Sequence, residues 1–308
     1  MKIKKILISI MCVFLICLLV LNPQKYSTSC LNGFLLFGKN VLPCLFPFFF
    51  LTKLLGETGI LSGFSKKTTK LTQKLFRTSG NSSYIFIMSI LSGYPVGAKL
   101  TADFYENGLI EKNEAFKIST FTSTSGPIFV IGTVGTVFLK NYTLALTIFA
   151  SHITGAIING IFYRRYKKNE IKSHSLNTKT PGKFMLSECM YSAISSILMV
   201  GGFIAFFTVF IDAILSISFL NLPALKITIA SLVEVTRGCF ELSKAPISNL
   251  LKGTLACFFI SFGGFSIHAQ AFAFLSKCEI PYFKFFIQKL THAILSSIIC
   301  FVLCLIVL

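Results

Sequence analysis

The sequence predicts an all-α integral membrane protein: a polytopic helical bundle of about seven spans plus two re-entrant segments, arranged as an inverted repeat. Three observations predict it. The 308 residues are 54% hydrophobic and only 13% charged, with a mean hydropathy of +0.76, whereas a soluble domain carries about 25% charged residues. Apolar runs long enough to cross a bilayer recur along the chain, and such a helix needs about 20 residues. Basic residues gather in short connections beside those runs, as the positive-inside rule describes.

The first run, 6–21, follows Lys2, Lys4 and Lys5 and has the outline of a signal peptide. Asn22-Pro23-Gln24-Lys25 then follows with no small-x-small cleavage site, so residues 1–30 are expected to hold an uncleaved signal-anchor span. Further spans are expected at 31–55, 116–139, 142–163, 189–219, 250–274 and 284–308. Two segments are too short or too interrupted to span: 84–98 and 222–238. These read as re-entrant.

The charges decide that reading. With the N-terminus inside, span 31–55 returns and leaves Lys66, Lys67, Lys70, Lys74 and Arg77 inside. If 84–98 crossed fully, Arg164, Arg165, Lys167, Lys168, Lys172, Lys179 and Lys183 would face outside; if it enters and returns, they lie inside. The second half then runs in the opposite sense. This gives a first repeat at 31–163, a basic cytoplasmic linker at 164–183 and a second, inverted repeat at 184–308. Spacing supports the duplication: Ser92 and Glu234 are 142 apart, Gly126 and Gly264 138, and His152 and His292 140.

The net charge of +18 would suggest nucleic acid in a soluble protein. Its position beside apolar spans makes it a topology signal instead, and no nucleic-acid partner is expected. The ten cysteines are scattered through apolar runs without C-x-x-C spacing, and read as packing residues. No P-loop, H-E-x-x-H or G-x-S-x-G motif occurs, so neither enzymatic activity, metal nor cofactor is expected. The stretch from Lys99 to Lys117, with Asp103, Glu106, Glu111 and Glu114, reads as a solvated cytoplasmic helical connection.

Within a bilayer, broken backbone persists only where protein or a water-filled cavity surrounds it. Four places fit. In Ser92-Gly93-Tyr94-Pro95-Val96-Gly97-Ala98-Lys99, Pro95 removes a donor while Gly93 and Gly97 permit a turn; an interfacial turn anchored by Tyr94 and Lys99 is the plainer alternative. In Ser119-Thr120-Phe121-Thr122-Ser123-Thr124-Ser125-Gly126-Pro127, six hydroxyls precede Gly-Pro, more than a simple bend needs. Glu234, Thr236 and Arg237, followed by Gly238, bring two charges that each cost about 2.5–3.5 kcal/mol at mid-bilayer. Either they serve the site, or they form a structural pair at the outer interface. The fourth is Ser261-Phe262-Gly263-Gly264-Phe265-Ser266 with His268 and Gln270. Glu234, His152 and His292 are candidates for proton coupling, the histidines equally for helix–helix hydrogen bonding.

Those same residues carry a family resemblance. Ser92-Gly93-Tyr94-Pro95-x-Gly97-Ala98-Lys99, Ser125-Gly126-Pro127-x-Phe129-x-Ile131-Gly132-Thr133, Glu234-x-Thr236-x-Gly238 and Ser261-Phe262-Gly263-Gly264-x-Ser266 resemble the YlbJ-type sporulation integral membrane proteins. The likeness spans roughly residues 30–300. That family carries the Gate, or nucleoside-recognition, module. The chain departs from it at Ser123-Thr124, where the family often has Asn. The resemblance implies a spore-forming bacterium and a membrane-embedded gate, in the cytoplasmic membrane of the mother cell or forespore.

The expected function is passage of a small polar solute or ion during sporulation, along a path between the breaks. The alternative is a non-transporting assembly protein of the spore envelope whose basic loops recruit partners. Membrane lipid and the solute are the expected partners, with a homo-oligomer or other sporulation membrane proteins as further candidates.

Overall fold

A computed structural model describes residues 2–58, 60–167, 186–217, 220 and 222–308, and no strand occurs among them. Most of the expected 164–183 linker therefore lies outside the described residues. Helix α1 (Lys2–Leu21) leads into α2 (Pro23–Leu36), which continues through a π-helical turn (Phe37–Val41) into α3 (Leu42–Glu57). Pro23 starts α2 at the position where a missing N–H costs nothing. Helix α4 (Ile60–Phe76) exposes Lys67, Lys70 and Lys74.

The interior follows. Helices α5 (Asn81–Ser92) and α6 (Val96–Glu106) are separated by a break, as are α7 (Lys112–Thr122) and a π-helix (Ile128–Phe138); α8 (Tyr142–Tyr163) is continuous. After α9 (Leu186–Leu215), the pattern recurs. Helices α10 (Pro223–Val233) and α11 (Val235–Ser243) break at Glu234, and α12 (Asn249–Phe262) and α13 (Gly264–Leu275) break at Gly263. A 3-10 turn (Ser276–Cys278) precedes the continuous α14 (Tyr282–Val307).

Among the described residues, five helical stretches are long and apolar enough to cross a membrane: Pro23–Leu55, Tyr142–Tyr163, Leu186–Leu215, Asn249–Cys278 and Tyr282–Val307. These cover five of the seven expected spans. Of the other two, 6–21 lies within the 20-residue α1, and 116–139 is two helical pieces flanking residues 123–126. The interruption in 116–139 has a local cause. Pro127 cannot donate to the helical ladder, and the hydroxyls before it offer the backbone competing partners. The 250–274 span is likewise interrupted, at two left-handed glycines.

Contacts sort the loops into two ends. At one, Arg164 donates to the Lys74 carbonyl, Ser79 N–H to Glu114, and Asn81 to the Leu109 carbonyl. Lys112–Glu279 and Lys277–Glu106 ion pairs join the loop before α7 to the loop before α14 at the same end. The hydrogen bond between Lys112 and Glu279 raises the lysine pKa and holds the carboxyl below its ordinary range. Both termini of the α5–α6 unit therefore meet at this end. At the opposite end, Lys226 and Glu241 pair across the α10–α11 unit at 3.2 Å. One charge expectation fails here: Glu114 and Lys117 are buried rather than solvated. Glu114 is drawn in because it supplies the acceptor for the free Ser79 amide just before α5.

Two main apolar cores hold these units, with a third cluster of Ile211, Leu215, Ala230 and Val233 between α9 and α10. The larger joins α3, the π-helix, α8, α9, α11, α12 and α14 through residues such as Val41, Val130, Ile148, Ile204, Ile260 and Cys300. The smaller lies under the first end, where Phe121, Ile118, Leu275 and Phe285 pack. Six cysteines are buried, five of them in these cores, and all ten are free thiols.

Single cysteines in a cysteine-free background test the arrangement. Cysteines at Lys74 and Asn107 should react with an impermeant maleimide from the same face of sealed vesicles, and one at Pro246 from the other. Reaction of positions 74 and 107 from opposite faces would show that the α5–α6 unit crosses.

Candidate functional site

A break in a buried helix frees amide and carbonyl groups, and each must find a partner. At the first break, Gly93 adopts φ +70° and ψ −163°, a region essentially restricted to glycine. The Tyr94–Pro95 peptide is cis, and α6 restarts at Val96. Gly97 faces the Thr122 carbonyl so closely that a side chain would collide with it.

At the second break, residues 123–126 lie outside helix, and several of the freed groups find partners. Asn159 of α8 donates to the Thr120 carbonyl at 2.7 Å, and Lys289 of α14 to the Ser123 carbonyl at 2.9 Å. Thr124 and Ser89 share a hydroxyl bond at 2.7 Å. The Ser125 amide donates to His152 Nε2 at 2.9 Å. Since an amide only donates, Nε2 accepts, and the ring proton sits on Nδ1, facing Ser261 Oγ at 2.8 Å. His292 Nε2 donates in turn to the His152 carbonyl at 3.0 Å.

At the third break, Glu234 is extended and caps α11 with its own carboxylate, accepting from the amides of Thr236 at 3.0 Å and Arg237 at 2.7 Å. At the fourth, Gly263 and Gly264 take φ +90° and +64°. The freed Phe262 carbonyl accepts from His268 Nε2 at 3.0 Å, and Tyr282 Oη lies 3.3 Å from the other ring nitrogen.

The breaks meet in pairs and then together. Gly93 packs directly on Gly126, while Gly264 packs on the carbonyls of Ser231 and Val233. All four then border one cavity of about 60 Å³, room for roughly four to six waters at ~10–15 Å³ each. The broken segments bring seven polar residues to it, Ser92, Tyr94, Ser125, Glu234, Thr236, Ser266 and Gln270, among the apolar Ile128, Phe129, Val235 and Ile267. The rest of its wall is apolar, built by Val41, Leu45, Phe48 and Phe49 of α2–α3 and Val200 and Ile204 of α9.

The structure thus gathers nine expected residues around the cavity: Ser92, Gly93, Tyr94, Ser125, Gly126, Glu234, Thr236, Ser266 and Gln270. Pro95, Gly97, Thr124, Pro127, Gly238, Gly263 and Gly264 shape the breaks behind it. His152 and His292 also stand behind it, tying the second break to Ser261. Two expected residues lie elsewhere. Lys99 is exposed on α6. Arg237 turns from Glu234 to Glu241 at 3.0 Å and Asp212 at 3.6 Å. Sequence reading missed Asn159, Gln288 and Lys289. Their signal was present, as lone polar side chains inside apolar spans.

Comparisons agree with this picture. Residues 38–141, which include the first two breaks, match the family described as Gate, nucleoside recognition. The chain is 29% identical to the sporulation integral membrane protein YlbJ of Bacillus subtilis (strain 168), over 96% of this chain and 82% of that protein. No solved structure matches it. The chain is a homologue of a bacterial sporulation integral membrane protein and is itself an integral multi-pass membrane protein.

The glycine pair at the first two breaks yields a paired stability test. Gly93→Ala should cost about 3 kcal/mol or more, from backbone strain plus overlap with the Gly126 amide. Gly108→Ala, at φ +69° but with open space around it, should cost only about 1 kcal/mol. Thermal unfolding in detergent reads the difference, and equal shifts would show that the Gly93–Gly126 approach is not tight.

Proposed function

We propose that this YlbJ homologue is a gated passage for a small polar solute or ion, working in the bacterial cytoplasmic membrane during sporulation. The single observation that carries the reading is the meeting of four helix breaks on one buried cavity, to which they bring seven polar residues. Broken backbone in a membrane is kept only where it is buried in protein or lines a water-filled cavity, and transporters with inverted repeats use such interrupted segments at the bilayer midplane. The recurrence of broken, broken and continuous elements in α5–α8 and α10–α14 supports an inverted repeat in the same sense. In this reading α5–α6 and α10–α11 are re-entrant from opposite faces, and the N-terminus is inside.

Each lining group has a task. Glycines and prolines hold the breaks open, hydroxyls and Gln270 replace water around the solute, and Glu234 is the candidate for proton coupling. The name of the matched family points to nucleosides. A cavity of about 60 Å³ holds only a few waters' worth of solute in this conformation, so a nucleoside requires a wider state.

Flux into proteoliposomes tests the reading with three probes: uridine, inorganic phosphate and rubidium ion. At least one should enter faster than into protein-free vesicles. Val200→Trp, which fills the cavity from its apolar wall without touching a break, should reduce that flux at least about tenfold while the protein still inserts. If no probe enters faster than into empty vesicles, the passage reading fails.

A further inference from the structure

Lys289 is the one cation that the breaks themselves surround. It is 1% exposed on α14, and no ion pair among the described residues includes it. Its ammonium donates to Tyr94 Oη and to the Ser123 carbonyl, and lies 4.6 Å from the centre of the Tyr94 ring. Tyr94 Oη passes the interaction on, donating to the Ile260 carbonyl at 3.4 Å.

These acceptors share an origin. Ser123 follows the last residue of α7, Ile260 lies in the last turn of α12, and Tyr94 follows the end of α5. The C-terminal carbonyl end of α7 thus meets the ammonium directly, and that of α12 is linked to it through the Tyr94 hydroxyl. Glu234 is the counterpart, a carboxylate at the N-terminus of α11. The two ionisable groups stand on different parts of the same cavity, Glu234 in its lining and Lys289 behind Tyr94.

We propose that Lys289 is the charge-selecting residue of the cavity: its ammonium, presented through Tyr94, favours anionic and neutral solutes and excludes metal cations. The proposal rests on the passage reading above. A metal ion entering the breaks would seek carbonyl and hydroxyl oxygens. On this side, the Ser123 carbonyl and Tyr94 oxygen are already engaged by a tethered positive charge, which also repels the newcomer. Passage of the favoured solute then needs no sodium ion at this position.

The test measures the potential directly and needs no knowledge of the natural solute. Single cysteines at Ser92 and at Thr236, in a cysteine-free background, are reacted with anionic 2-sulfonatoethyl and cationic 2-aminoethyl methanethiosulfonate. A unit charge about 10 Å away, through an effective dielectric of about 40, changes each rate about fourfold in opposite senses. Lys289→Gln should therefore lower the anionic-to-cationic rate ratio at position 92 by about sixteenfold, whereas Lys289→Arg should keep it within about twofold. An unchanged ratio in Lys289→Gln overturns the inference while leaving the passage reading in place. Failure of both reagents at both positions removes the passage reading, and this inference with it. Should Lys289→Gln fail to fold, the unaltered lysine still gives an answer. The ratio must then be higher at position 92 than at position 236, beside Glu234, and an equal or reversed gradient overturns the proposal.

Discussion

Every unusual feature of this protein follows from one constraint: a helix interrupted inside a membrane loses backbone hydrogen bonds that no lipid replaces. Each orphaned buried amide or carbonyl costs about 1–3 kcal/mol. Left bare, the six groups named below would cost about 6–18 kcal/mol, as much as a typical protein's net stability of about 5–15 kcal/mol. The structure answers three of the four interruptions with named side chains. Asn159 and Lys289 take the freed carbonyls of α7, His152 takes the Ser125 amide, His268 takes the Phe262 carbonyl, and Glu234 takes two amides of α11. The buried polar residues are thus the other half of the breaks, and their positions are dictated by them.

Packing obeys the same constraint. Broken backbones can share partners only if they approach closely, so glycine appears where two of them touch. Gly93 meets Gly126, Gly97 meets Thr122, Gly238 meets Ser231, and Gly264 meets the carbonyls around Glu234. The cavity is the space these contacts leave, closed on its remaining side by aliphatic and phenylalanine side chains of α3 and α9. The polar residues in its lining are therefore a result of where the breaks face.

Much of this was legible in the sequence, and the part that was not has physical reasons. Breaks announce themselves locally, because Gly, Pro and runs of hydroxyls disfavour helix wherever they occur; all four were visible at Gly93–Pro95, residues 123–127, Glu234 and Gly263. Partners are tertiary and leave a weaker mark. Lys289 and Asn159 looked like isolated polar residues in apolar spans until α14 and α8 packed against α7. The apolar wall was invisible, since Val41 or Val200 resembles every other apolar residue of its helix. Arg237 was misplaced because three-residue spacing brings side chains together only within one helix. Glu234 lies outside α11, as its extended cap, so the two side chains diverge.

The partners also cross between the two groups of broken helices. Lys289 and His292, on α14, serve the break at residues 123–127 and the histidine beside it, while His152 on α8 reaches Ser261 on α12. This has a consequence for biosynthesis. About 160 residues separate Pro127 from Lys289, roughly ten to thirty seconds of translation at ~5–20 residues per second. Throughout that interval the first broken pair has entered the membrane without the side chain that completes it. The nascent chain must be sheltered there, by the insertion machinery or by water, until α14 arrives, and quality control has a built-in checkpoint in whether it does.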